Sequence, residues 1–127
     1  MTTVFTPHRL ALAAAILLSA IGAQAQVRIA YIDPLSGGGA SVGEHGLKHL
    51  QFLVETINAK GGVMGGQKLE AVAYDNKGSP QESLVQVQKA IDAGVRFLTQ
   101  GNGSGAAIAI SEFVAKYNER NPGKEVL

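Results

Sequence analysis

The sequence predicts an α/β fold, an open parallel sheet with helices on both faces. Three observations predict it. Short β-branched and apolar runs alternate with longer segments whose apolar residues recur every three or four positions. Turn-forming residues mark the junctions: Asp33-Pro34, Gly61-Gly62, Asp75-Asn76, Gly94 and Asn121-Pro122-Gly123. The resulting order, β-α-β-α-β-α-β, requires crossover connections, which are right-handed and lay helices against a parallel sheet.

Residues 1–25 stand outside this pattern. A polar start ends at Arg9, residues 10–23 are apolar, and Ala23-Gln24-Ala25 follows as a small-x-small site. The apolar run is shorter than the roughly 20 residues of a bilayer span. It reads as a cleavable signal peptide, cut after Ala25, which predicts export to the periplasm. Arg9 is its only charged side chain, so the remainder is formally neutral.

The elements follow in order. Residues 27–32 form a first strand that stops at Asp33-Pro34. Residues 44–60 form a helix, because Leu47, Leu50, Val54 and Ile57 make one apolar stripe, and Gly61-Gly62 ends it. Residues 68–74 are the second strand. Ser79-Pro80-Gln81-Glu82 opens the second helix as a capping box: Ser79 accepts from the Glu82 amide and Glu82 reaches back to the Ser79 amide. Leu84, Val87 and Ile91 line the inner face of that helix, and Gly94 caps its end. Residues 95–99 are the third strand. Residues 104–118 are the third helix, with Ala107, Ile110, Val114 and Tyr117 on one side. Glu125-Val126-Leu127 opens a fourth strand. Three strands and a stub bury little apolar surface, so residues 26–127 are expected to be the N-terminal part of a longer domain.

Composition excludes several functions. The 127 residues carry 11 basic and 10 acidic side chains, a formal charge of +1. Nucleic-acid coats and polybasic membrane tethers need a cationic excess. There is no Cys, hence no disulfide framework, thiolate zinc site, thiol nucleophile or lipid-anchoring thiol. Aromatic residues are 6% of the chain and Trp is absent, a poor composition for stacking bases.

In an open parallel sheet, ligands bind at the C-terminal strand ends, where the strand order reverses. If the second and third strands flank the first, the crevice lies between strands one and three. Two glycine-rich loops border it, residues 33–43 and residues 100–104. In the first loop Gly37, Gly39 and Gly43 give G-x-G-x-x-x-G, one residue longer than the dinucleotide fingerprint. Asp75 also lies far beyond the roughly 20-residue offset of the fingerprint's acidic partner. In the second loop, Gly101-Asn102-Gly103-Ser104-Gly105 runs straight into a helix. A helix start offers unpaired amides and partial positive charge, and Ser104 adds a hydroxyl, so this loop could receive a carboxylate. Ser104 or Asn102 could equally serve as the helix cap, and one residue can do both. His45 and His49 are four apart on the first helix, without the third ligand that zinc requires, so no metal site is expected. The G-x-S-x-G elbow fails because Asn102 stands where it needs glycine. Glu112, Lys116, Glu119 and Arg120 read as a solvated helix face.

Four stretches together resemble a known family: residues 27–37, residues 57–66 (Ile-Asn-Ala-Lys-Gly-Gly and the glycine-rich connector), Tyr74-Asp75-Asn76, and Gly94-Val95-Arg96-Phe97 leading to the Gly/Ser loop. Their order and spacing resemble the start of a periplasmic substrate-binding protein of the branched-chain amino-acid ABC-transporter type. The resemblance implies two α/β lobes around a cleft, of which this chain holds part of the first. It implies capture of an amino acid or a related small carboxylate or amide, presentation to a membrane permease, no catalysis and no cofactor. The protein is expected to be a monomer that binds no nucleic acid. By resemblance, Gly103 and Ser104 grip the ligand carboxylate, with Asn102 and Gly105 beside them. Ser36 and Val42 line the side-chain pocket, where leucine-binding relatives often carry an aromatic residue. Two readings from other classes stand beside this one: a nucleotide-binding α/β enzyme fragment and an extracellular ligand-sensing receptor domain.

Overall fold

The structure, a computed structural model, describes residues 26–127. The expected signal peptide lies outside the described residues. Strands β1 (Val27–Asp33), β2 (Leu69–Asp75) and β3 (Phe97–Thr99) form one parallel sheet in the order β2-β1-β3. Val27 pairs with Leu69 and Asp33 with Asp75 along one edge of β1, while Ile29 pairs with Phe97 and Tyr31 with Thr99 along the other. The strand order therefore reverses at β1, as the predicted crevice requires. No helix among the described residues is long and apolar enough to cross a membrane.

Alternation along β1 divides the molecule. Ala30 and Ile32 have no solvent exposure and join Val87, Ala90, Ile91, Val95, Ile110 and Val126 in the core. That face is covered by helices α2 (Pro80–Asp92) and α3 (Ser104–Arg120). Fully burying a side chain such as Ile32 or Val87 contributes about 1.5–3 kcal/mol. Tyr31 points to the other face, where helix α1 (Ala40–Ala59) lies. The α1 stripe is as expected, with Val54 buried and Leu47, Leu50 and Ile57 half-buried.

The start of α1 corrects the sequence reading. The glycine-rich segment taken for a loop through residue 43 is mostly helical. A 3-10 turn, Gly37–Gly39, runs directly into α1, and only residues 34–36 remain as loop. The glycines are there for close approach. A Cβ on Gly43 would stand 1.8 Å from the Pro34 carbonyl oxygen, and one on Gly46 would stand 2.1 Å from the Tyr31 hydroxyl. Helix backbone meets the Pro34 backbone just past β1 at one glycine and the Tyr31 side chain at the other, so the helix can begin close behind the strand.

The α2 cap is half of what the sequence suggests. The Glu82 amide donates to the Ser79 hydroxyl at 3.3 Å. The reciprocal arm is missing, because the Ser79 amide donates to the Asn76 carbonyl at 2.9 Å and the Glu82 carboxylate takes Gln86 Nε2 at 2.7 Å. β3 is shorter than expected: the Val95 amide returns to the Ala90 carbonyl at 2.9 Å and belongs to the end of α2.

Two asparagines stand in for strand neighbours. Asn58 donates to the Leu69 carbonyl and accepts from the Leu69 amide, both at 2.8 Å. Asn118 does the same for Val126, at 2.9 Å both ways. Residues 125–127 form no assigned strand, yet Leu127 pairs with the outer edge of β3. Its amide donates to the Arg96 carbonyl at 2.8 Å and its carbonyl accepts from the Leu98 amide at 2.7 Å.

Candidate functional site

Both predicted loops emerge at the C-terminal ends of adjacent parallel strands, β1 and β3. Each is pinned by a carboxylate at the end of a strand, a role the sequence reading did not give to either. Asp33, the last residue of β1, is 1% exposed. Its Oδ1 accepts from the Asn102 amide at 3.0 Å and the Gly101 amide at 3.2 Å, while its Oδ2 accepts from the Tyr31 hydroxyl at 2.6 Å. Three donors converge on one buried carboxylate, which is the arrangement a buried charge requires. Asp75, beside it in the register, takes the Leu35 amide at 2.8 Å and the Lys77 amide at 2.9 Å, and bonds to Ser36.

The electrostatics follow from these contacts. Burial pushes the Tyr31 phenol well above its ordinary value, and the bond to Asp33 and that carboxylate's charge push the same way. Tyr31 therefore stays a donor throughout the physiological range. Partial desolvation pushes the Asp75 carboxyl up, but bonds from Ser36, Leu35 and Lys77 outweigh it and hold the group below its ordinary 3.8.

The α3 start is open. Gly103 is the N-cap, with φ +96°, and among the described residues no side chain caps the helix. The idea that Ser104 or Asn102 caps it does not hold. The Gly103 carbonyl accepts from the Ala107 amide at 3.1 Å, which leaves the amides of Ser104, Gly105 and Ala106 at a bare first turn. Gln100 Nε2 donates to the carbonyls of Asn102 and Gly103.

Ser36 is exposed and its hydroxyl is engaged by Asp75. Val42 lies in the first turn of α1 rather than in a loop and is 61% exposed. Asn102 is half-buried with its amide spent on Asp33, while Gly103, Ser104 and Gly105 are exposed. The structure thus brings Asn102 and Gly103 of the loop together with Ser104 and Gly105 of the first turn of α3, with Ser36 on the neighbouring loop. Sequence reasoning missed the roles of Tyr31, Asp33 and Gly46, and gave Gly43 only a place in a loop. The available signal for Asp33 was a carboxylate closing an apolar strand four residues before the first glycine of a glycine-rich segment.

Other candidates do not gather into a site. Among the described residues no three metal-ligating side chains come together, and His45 and His49 are exposed on α1. A groove of about 250 Å³ beside Phe113, Lys116, Tyr117 and Arg120 lies at the far end of α3.

A family model described as "Periplasmic binding protein" matches residues 26–119. The chain is 40% identical over 125 residues to the Leu/Ile/Val-binding protein homolog 4 of Brucella abortus (strain 2308), covering 98% of this chain and 30% of that protein. It resembles the crystal structure of a leucine-, isoleucine-, valine-, threonine- and alanine-binding protein from Brucella ovis in a closed conformation. The TM-score is 0.75 and the identity 39%, over 81% of this chain and 26% of that one. A branched-chain amino acid transporter substrate-binding protein from Streptococcus pneumoniae, solved with isoleucine, gives a TM-score of 0.65 at 29% identity, over 72% and 26%. The chain spans about 30% of the length of the curated relatives it matches first. With the family model matched across nearly all of the described residues and the parallel sheet reproduced in these structures, the chain belongs to the periplasmic binding protein family.

Proposed function

We propose that residues 26–127 form the N-terminal part of lobe one of a periplasmic solute-binding protein. Its solute is an amino acid of the branched-chain type or a related small carboxylate or amide. The ligand carboxylate meets the amides of Ser104, Gly105 and Ala106, with the Ser104 hydroxyl beside them. Ser36 and Val42 face the ligand's other end, and a membrane permease of an ABC importer receives the cargo. No catalysis and no cofactor are involved.

The observation that carries this reading is the uncapped start of α3, set at the strand-order reversal and held there by Asp33. Unpaired amides at a helix start are suited to a carboxylate. The names of the relatives, which are Leu/Ile/Val-binding proteins, support the solute class. The glycine spacing and the lack of a suitably placed acidic partner weigh against a dinucleotide.

Amide chemical shifts followed during titration test the reading. With leucine, isoleucine or valine, shifts are expected at Ser104 to Ala106 and Ser36 to Val42. Isoamylamine, which is leucine without its carboxylate, should leave Ser104 to Ala106 unmoved. Binding by the chain alone is expected to be weak, because one cleft wall buries a small part of a ligand. No shift up to the solubility limit of each amino acid, or shifts with NAD or ATP instead, would overturn it.

A further inference from the structure

We infer that Asp33 is a positioning residue. It couples α1 to the loop before α3 and decides which amides of that loop are left for a ligand. The inference rests on the proposed binding reading for its consequence, and on the ligand-free geometry for its cause.

The geometry is a relay of buried polar contacts enclosed by three glycines. The Tyr31 hydroxyl donates to Asp33 Oδ2 at 2.6 Å and lies 3.1 Å from the Gly43 carbonyl oxygen on α1. Asp33 Oδ1 holds the Gly101 and Asn102 amides. The space around the pair is closed. A Cβ on Gly46 would stand 2.1 Å from the Tyr31 hydroxyl, and one on Gly101 would stand 3.1 Å from Asp33 Oδ2. A side chain at Gly46 would displace the Tyr31 hydroxyl, while one at Gly101 would press Asp33 back by a few tenths of an ångström.

The consequence is a division of labour along five residues. The amides of Gly101 and Asn102 are spent inside the protein, so they cannot meet a ligand. With both fixed, Gly103 turns the chain at φ +96° and α3 begins with Ser104 to Ala106 unspent. A carboxylate already occupies the first half of the loop, and its charge is met by three donors. A second carboxylate, from the solute, is steered to the second half. Tyr31 makes the arrangement sensitive to α1, because the phenol stands between Asp33 and the Gly43–Gly46 stretch of that helix.

The test uses the full chain and two kinds of measurement. Amide hydrogen exchange is read without ligand at Gly101 and Asn102, with the β1–β2 ladder amides as internal controls. Asp33→Ala should speed exchange at those two amides at least about tenfold, since both lose a bond to a charged acceptor. Asp33→Asn keeps one acceptor oxygen for them, so a smaller acceleration is expected. Tyr31→Phe, which keeps the ring, should fall between Asp33→Asn and wild type. If Asp33→Ala does not fold, the Asn and Phe variants carry the test. Amino-acid titration then follows on each folded variant, and affinity should fall in the same order as exchange rises.

Unchanged exchange at Gly101 and Asn102 in the folded variants overturns the inference, whatever binds. A loosened loop with undiminished affinity overturns it as well. If wild type itself binds no amino acid, the binding proposal fails. The exchange result then still decides whether Asp33 is the anchor.

Discussion

Gly43 offers a sharp test of how α1 is seated. Replacing it with Ala adds one methyl group, whose carbon would stand 1.8 Å from the Pro34 carbonyl oxygen and 2.8 Å from its carbonyl carbon. Both are backbone atoms, so no side chain can swing aside. Ordinary contact needs about 3.4 Å or more, so α1 and the Pro34 backbone must separate by more than 1 Å. Forcing extra volume into a packed contact costs about 1–3 kcal/mol and occasionally more. The intrinsic helix gain of Ala over Gly, roughly 0.8–1 kcal/mol, offsets only part of this. A 1.8 Å clash with backbone belongs at the upper end of that cost, so the expected net loss is about 2 kcal/mol, or roughly 8–16 °C in midpoint for a domain near 100 residues. Gly38→Ala is the control, because its Cβ meets nothing within 4 Å and its φ is not left-handed. That change should be neutral, or stabilising by up to about 1 kcal/mol. Urea denaturation followed by circular dichroism reads both, with the slope unchanged if the fold is retained. A Gly43→Ala protein as stable as wild type would refute the close approach of α1 to Pro34, and with it the seating of Tyr31 against that helix.

Three further outcomes are expected. Ser79→Ala removes the oxygen that accepts from the Glu82 amide and should cost about 0.5–2 kcal/mol in urea denaturation. Gly103→Ala places a side chain at φ +96°, where the neighbouring Ala106 Cβ at 4.0 Å leaves room; backbone strain alone should therefore cost about 1–2 kcal/mol. Thermal melting reads that cost, and amide shifts at Ser104 to Ala106 report the displaced helix start. Asp75 adds a pH dependence of known sign. Its folded value is depressed, so its contribution is complete above the ordinary 3.8 and is lost as pH falls from there through the lower folded value. Asp75→Asn should flatten that part of the stability–pH profile, and an unaltered acid limb would count against the Asp75 bonds.

The secondary-structure order was legible because it rests on local chemistry. Apolar spacing marked the stripe of α1, Ser79-Pro80 marked the start of α2, and Gly61-Gly62 ended α1 with both residues at positive φ and the Gly62 amide on the Ile57 carbonyl. The placement of the two loops also followed, since parallel strands joined by right-handed crossovers bring their C-terminal ends to one edge. The errors arose where a residue acts through a partner that the local pattern does not name. Gly43 read as a loop glycine, and the role of Gly46 within the helix went unread, because their neighbours, Pro34 and Tyr31, come from the preceding strand and its end. Glu82 did not complete its capping box because Gln86, one turn on, took its carboxylate.

Taken alone, the order of residues determined the α/β alternation, the parallel sheet and the place of the Gly101 to Gly105 loop at its C-terminal edge. Tertiary structure decided which amides of that loop are free. Asp33 and Asn102 are far apart in the chain, and only the pairing of β1 with β3 brings the carboxylate within 3.0 Å of the amide. Helix caps and apolar stripes are written within a few positions of one another. A buried charge finds its donors through the folded backbone, and their identity is set by strand register.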